Sequence, residues 1–306
     1  MSLSRFQRLA LATTAITYLL ILVGGLVRAS GAGLGCPDWP RCFGGWIPPM
    51  SAADLPAAFD PSQFNPTLMW TEYLNRLLGV TVGLFIFATL VSAWRHHRDT
   101  PRVFRPILAA FLLTGFQGWL GGMVVAQALA GWIVTAHMIV ALVIVALLIY
   151  ATFHAVVEDG AAEVGPARRF LARATYGVMA VMLAQVAIGA QVRELVDERL
   201  DHLPRAAVID SLGLLDLLHR DGAVAVLGLA VLLWFRVWLK HRHEGRLMTA
   251  AHVVLGLVAA QIATGVVLAY FALPPPAQVA HLTLAALLMG ALMVLALLAT
   301  RLPEPA

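Results

Sequence analysis

Residues 72–94 read EYLNRLLGVTVGLFIFATLVSAW, and residues 216–238, 144 positions later, read DLLHRDGAVAVLGLAVLLWFRVW. Each stretch opens with polar residues at i, i+3 and i+4 (Glu72, Asn75, Arg76; Asp216, His219, Arg220) and then runs apolar for the length of a bilayer crossing. A hydrocarbon core about 30 Å thick takes roughly 20 apolar helical residues. Both stretches therefore read as membrane spans with ionisable side chains on one helix face.

The rest of the chain has the same character. Of its 306 residues, 60% are hydrophobic and 12% charged, with mean hydropathy +0.82; a soluble chain is roughly 25% charged. No globule of this length has interior enough for that apolar surface, so the excess faces lipid. The chain is read as an all-α integral membrane protein with eight apolar runs, at about 9–28, 68–94, 104–126, 130–153, 170–191, 212–238, 248–271 and 277–300. The first run has spanning length, beyond the 7–15 residues typical of a cleaved signal peptide. Only the connections 29–67 and 192–211 are long.

An even number of spans puts both termini on one side, and basic residues tell which. Fourteen (Arg5, Arg8, Arg95, Arg98, Arg102, Arg105, Arg168, Arg169, Arg173, Arg236, Lys240, Arg242, Arg246, Arg301) lie on the terminal side, against five opposite (Arg28, Arg41, Arg193, Arg199, Arg205). The positive-inside rule makes both termini cytoplasmic, or matrix-side, in a cell (inner) membrane, with the two long loops outside. The net charge of +4 comes from basic residues scattered over short loops, without a basic face, which excludes nucleic acid as a partner.

The offset of 144 extends beyond the opening pair. Gln117 meets Gln261, Gly121 meets Gly265 and His137 meets His281, while Gly24 and Arg28 meet Gly189 and Arg193 at an offset of 165. The chain thus reads as two tandem four-helix units, 1–160 and 161–306, in the same orientation and related by a pseudo-twofold axis along the membrane normal.

Ionisable groups inside a span cost a few kcal/mol each and face the bundle interior. His137 and His281 fall one to two turns inside the outer ends of the fourth and eighth spans, at the depth of Asn75 and His219. Two neutral imidazoles from facing helices are how a bundle grips an iron porphyrin. In the second unit that pair is His219 and His281, with Arg220 placed for a propionate. The plainer alternative is a hydrogen bond from each histidine to a neighbouring helix. In the first unit Asn75 replaces a histidine, leaving His137 as the one strong ligand and suggesting a substrate site. Glu72 could act there as a base or simply pair with Arg76 at i+4; the two are compatible.

Cys36 and Cys42 lie in the first outer loop, within GLGCPDWPRCFG, and no other cysteine occurs. On an oxidising face such a pair is a disulfide or a redox-active dithiol. His96, His97, His154, His241 and His243 fall in basic inner loops and read as solvated. His202, in an outer loop, and His252, without a repeat partner, carry no assigned role.

GGLVRASGAGLGCPDWPRCFG at 24–44, EYLNR, His137, LLHR at 217–220 and His281 together resemble the haem A synthases, the COX15/CtaA family, over essentially the whole chain. That resemblance implies an oxidoreductase converting the methyl group at porphyrin position 8 of haem O to a formyl group, with water as the oxygen source. It implies haem b (iron) held by His219 and His281 beside Arg220, and haem O in the first unit with His137 as axial ligand, Asn75 and Arg76 around it and Glu72 near the reacting methyl. It pairs Cys36 with Cys42. The partners it implies are haem O, haem O synthase, an unidentified electron acceptor and membrane lipid, with a homo-oligomer compatible and the haem sites toward the outer face. The family motif ExxHR stands here as ExxNR, and a second cysteine pair found in some relatives is absent from 192–211. The alternatives are a membrane b-type cytochrome that carries electrons without oxidising a substrate, and a parallel-repeat transporter. The latter lacks Pro-interrupted spans.

Overall fold

In the computed structural model, residues 3–156, 165–200, 202–271 and 273–301 are described. The unit boundary expected at 160/161 falls outside them.

Helix starts follow local chemistry. Ser4 opens α1 (Arg5–Ala29) with a capping box: its hydroxyl accepts the Gln7 amide at 3.1 Å while the Gln7 side chain accepts the Ser4 amide at 2.8 Å. Proline stands first in α2 (Pro66–His97), α3 (Pro101–Ala126), α5 (Pro166–Leu200) and α9 (Pro275–Arg301), where its missing N–H costs nothing. The remaining helices are α4 (Gly131–Val156), a short α6 (Arg205–Ser211), α7 (Leu214–His241) and α8 (Gly245–Tyr270). All but α6 are long and apolar enough to cross a membrane, giving eight candidate spans. Pro106 sits inside α3 without ending it. No strand occurs among the described residues beyond a single bridge between Cys42 and Gly45.

These helices are apolar on both sides, as spans are. On α2, Leu74, Leu77, Leu84, Phe87 and Trp94 are exposed, while Val82, Ile86 and Ala93 are buried on the opposite face. The exposed stripe has no role in water and meets lipid. Where helices touch, small and hydroxyl residues do the work expected in a membrane. Thr13 and Thr89 bond across α1 and α2 at 2.8 Å, and Gly290 of α9 admits the Tyr18 ring of α1 and Ile149 of α4.

In the first half α1 packs on α2 and α4, and α3 on α2 and α4; in the second, α7 packs on α5 and α8, and α9 on α5 and α8. The halves meet through α1 and α4 against α9 and through α4 against α5. Accordingly α9 is the most enclosed span, with 56% of its apolar window buried.

One helix outruns the hydropathy reading. The fifth apolar run ends near 191, yet α5 continues to Leu200. Charge ends a hydrophobic run without ending a helix: Arg and Glu are good helix formers, and Arg193 pairs with Asp197 one turn on at 2.8 Å. Asp197 also pairs with Arg28 of α1, so one carboxylate holds the two repeat-related arginines across the seam between the halves. Beside it Glu194 accepts the Gly131 amide at 3.1 Å and Gln191 donates to Thr135 at 2.9 Å, tying α5 to α4.

Candidate functional site

In the second half, α7 presents His219 and α9 presents His281. Their ring centroids are 6.4 Å apart with planes at 65°. With metal–imidazole bonds of about 2 Å, two rings on opposite sides of one ion have centroids separated by roughly 6 Å. The backbone makes room for both rings. A Cβ at Gly189 of α5 would lie 2.8 Å from His219 Cε1, and one at Gly265 of α8 would lie 3.4 Å from His281 Cε1. His281 Nδ1 is 3.0 Å from the Thr264 hydroxyl, whereas His219 Nδ1 is buried without a hydrogen-bond partner. Arg220 pairs with Asp216 at 2.7 Å and its side chain is 41% exposed, so it remains reachable from outside.

The first half repeats part of this. His137 of α4 faces Gly121 of α3, whose Cβ would sit 3.8 Å from His137 Cε1, and Gln117 donates to the His137 carbonyl at 3.0 Å. No second imidazole is there. Asn75 stands at the His219 position, and Gly24, the counterpart of Gly189, has nothing within 4 Å of a Cβ. Six buried polar atoms without partners belong to the two constellations: Asn75 Oδ1, Gln117 Oε1 and His137 Nδ1 in the first, Gln185 Oε1, His219 Nδ1 and Gln261 Oε1 in the second. Native interiors satisfy such atoms. Two of the three in each half are repeat-related, Asn75 with His219 and Gln117 with Gln261, and such orphans beside glycine-made clearances suit a large planar group with its own metal and polar edge. A bare metal ion fits less well, since no three His, Cys, Asp or Glu converge among the described residues.

The glycine clearance is testable. In Gly189→Ala the new methyl overlaps His219, an overpacking cost of about 1–3 kcal/mol, and bound pigment per polypeptide should fall several-fold with thermal stability. Gly24→Ala, with open space around it, should leave both unchanged. Normal pigment content in Gly189→Ala would remove the clearance from the site.

Glu72 and Arg76 lie on the face that the helical spacing requires, and the loop between α1 and α2 comes down onto them. Glu72 Oε2 accepts the Cys36 amide at 2.8 Å, and its Oε1 accepts Arg76 Nε at 3.1 Å. Arg76 Nη1 donates to the carbonyls of Asp38 and Arg41 at 2.8 and 2.7 Å, and Nη2 to that of Cys36 at 3.3 Å. The pair is therefore a buckle holding residues 36–41 onto α2. Cys36 and Cys42 form a disulfide and both are fully buried, packed with Phe43 and Met69. Asp38 adds its two oxygens to the amides of Phe43 and Gly44 at 2.6 and 2.9 Å.

Hydropathy and spacing do not mark Gly189, Thr264 or Asp197 as site residues. The first was visible as a repeat of Gly24 whose partner ring could not be known. Thr264 has no such signal, since its counterpart is Leu120. Among the histidines expected to be solvated, His241 departs from that state: it is buried, with Nδ1 2.8 Å from Glu244, which also pairs with buried Arg168. The hydropathy reading missed this because all three lie where apolar runs end, and only the α5–α7 packing encloses them.

A family model described as COX15-CtaA, cytochrome oxidase assembly protein, matches residues 7–293. A protein named heme A synthase from Maricaulis maris is 26% identical over 333 residues, covering 95% of this chain and 95% of that one. Another from Methylobacterium nodulans is 28% identical over 331 residues, covering 94% and 89%. A third, from Shewanella oneidensis, is 33% identical over 141 residues, which span 45% of this chain and less than half, 42%, of that protein.

Proposed function

The chain belongs to the COX15-CtaA family of cytochrome oxidase assembly proteins, and from that premise we propose that it is a haem A synthase, oxidising the position-8 methyl of haem O to a formyl group for terminal oxidase biogenesis. The observation that carries this reading is the pair His219 and His281 facing each other at 6.4 Å, against a first half with His137 alone. A cytochrome that only carries electrons has no use for the second, asymmetric constellation.

The geometry supports the following roles. His219 and His281 would hold haem b, with Arg220 at a propionate; bound there, the haem supplies one-electron redox chemistry. His137 would ligate the substrate, haem O, with Asn75 and Arg76 lining the same region in this reading. Asn75, where the second half has His219, is a poor iron ligand, so His137 would be the one imidazole holding the substrate. Glu72 would take a proton near the reacting edge, or steer the water whose oxygen enters the formyl group. Its carboxylate is held in one orientation by Cys36 and Arg76. The same reading has two tandem four-helix bundles, divided near 160, related by a pseudo-twofold axis along the membrane normal. Both termini would be cytoplasmic, with the haem sites toward the outer face, haem O synthase upstream and an electron acceptor of its own.

The test is pigment extraction from membranes of a haem O-producing host that lacks its own haem A synthase, with and without this protein, resolved by chromatography and mass. Haem A should appear only with the protein. Haem B bound to the purified protein, with no haem A formed, would overturn the synthase in favour of the electron carrier.

A further inference from the structure

His281 and His137 occupy repeat-related positions, and each faces a glycine one helix away, yet they are held differently. His281 Nδ1 lies 3.0 Å from Thr264 Oγ1. The one hydroxyl hydrogen of Thr264 has acceptors on its own helix, the carbonyls of Ala260 and Gln261 at 3.1 and 2.9 Å. With the hydrogen on one of those carbonyls the hydroxyl oxygen accepts from the ring, and this is the tautomer in which His281 donates from Nδ1 and keeps the Nε2 lone pair for a metal. At the position 144 residues earlier stands Leu120, buried and without a hydrogen-bonding atom, and His137 Nδ1 is buried with no partner.

A hydrogen bond to the far nitrogen of a ligating imidazole fixes its tautomer and ring orientation and raises its basicity; losing it costs roughly 10–100-fold in metal affinity. We propose that Thr264 is a positioning residue that locks His281 as a permanent axial ligand, and that Leu120, by withholding the same bond, leaves His137 free to let its porphyrin enter as substrate and leave as product. This rests on reading both histidines as haem ligands. It explains how one repeated scaffold keeps one porphyrin and turns over another: a single side chain, threonine or leucine, at the same place behind each ligand.

The experiment uses the full chain in lipid nanodiscs with the haem it carries from expression, in three variants. Thr264→Val keeps the shape and removes the oxygen, Thr264→Ser restores the oxygen, and Leu120→Thr installs the bond in the first half. The readouts are the reduction potential of the bound haem, its low-spin electron paramagnetic resonance signature, and the rate at which haem passes to excess apomyoglobin. Thr264→Val should shift the potential upward, because a less basic imidazole stabilises ferric iron less. It should also speed haem transfer about 10–100-fold, with Thr264→Ser restoring both. Leu120→Thr, loaded with haem O, should slow its release by roughly tenfold or more.

Thr264→Val with haem bound and neither potential nor transfer rate changed would overturn the proposal. If that variant does not accumulate, Leu120→Thr decides alone, and an unchanged release rate overturns it. His281→Ala separates the two levels of inference: an intact bound-haem spectrum in that variant would overturn the ligand assignment itself.

Discussion

His219→Ala should lose the low-spin spectrum of the bound haem and purify with at least tenfold less pigment per polypeptide. His219 and His281 face each other at 6.4 Å, and on the proposed ligand assignment truncating one would remove one of the two imidazoles that hold the iron. The backbone at Gly189 has no side chain to fill the gap, since a Cβ there would already touch the ring at 2.8 Å. The same clearance offers a control against misfolding. Imidazole added to His219→Ala has room to enter the vacated space and should restore the low-spin spectrum in a concentration-dependent way. An unaltered spectrum in His219→Ala would put the ligand elsewhere. A spectrum lost but not rescued, in a protein that unfolds at a lower temperature, would make His219 a packing residue.

Glu72→Ala should keep the second-half haem spectrum and lose haem A formation. Two effects contribute, and their sizes separate them. Truncation leaves Arg76, whose side chain is 15% exposed, without its anion, and removing one partner of a buried pair costs about 3–5 kcal/mol. It also frees the Cys36 amide that Glu72 accepts at 2.8 Å, so the disulfide loop should loosen. Glu72→Gln retains an acceptor for that amide and reduces the structural loss, while abolishing a carboxylate base. Product formation should then fall by about 100-fold or more, the usual contribution of a positioned acid or base, with thermal stability close to that of the parent. Full activity in Glu72→Gln would confine Glu72 to its buckle with Arg76 and Cys36.

Much of this protein is legible in one dimension. Spans are sums over some twenty residues, so an error at any one position does not move them, and the eight expected runs are the eight long helices. The 144-residue offset likewise needs only identities, and it pairs His137 with His281. The Glu72–Arg76 pair follows from helical spacing, and the pair is present.

Legibility ended where an interaction depends on two segments meeting. Glu72 on the Cys36 amide, Asp197 between Arg28 and Arg193, and His241 enclosed with Glu244 and Arg168 join residues from different helices or loops. Nothing in hydropathy or spacing reports which side chains share a depth and a facing direction. Thr264 is the clearest case: as a letter it is an unremarkable polar residue in an apolar run, and only the rotation of α8 against α9 places its oxygen 3.0 Å from a histidine. Hydropathy and repetition set the number of spans and the rare residues within them, because both accumulate along the chain. Which of those residues are held, and by what, was decided by helix packing, because a hydrogen bond forms or fails over a few tenths of an ångström.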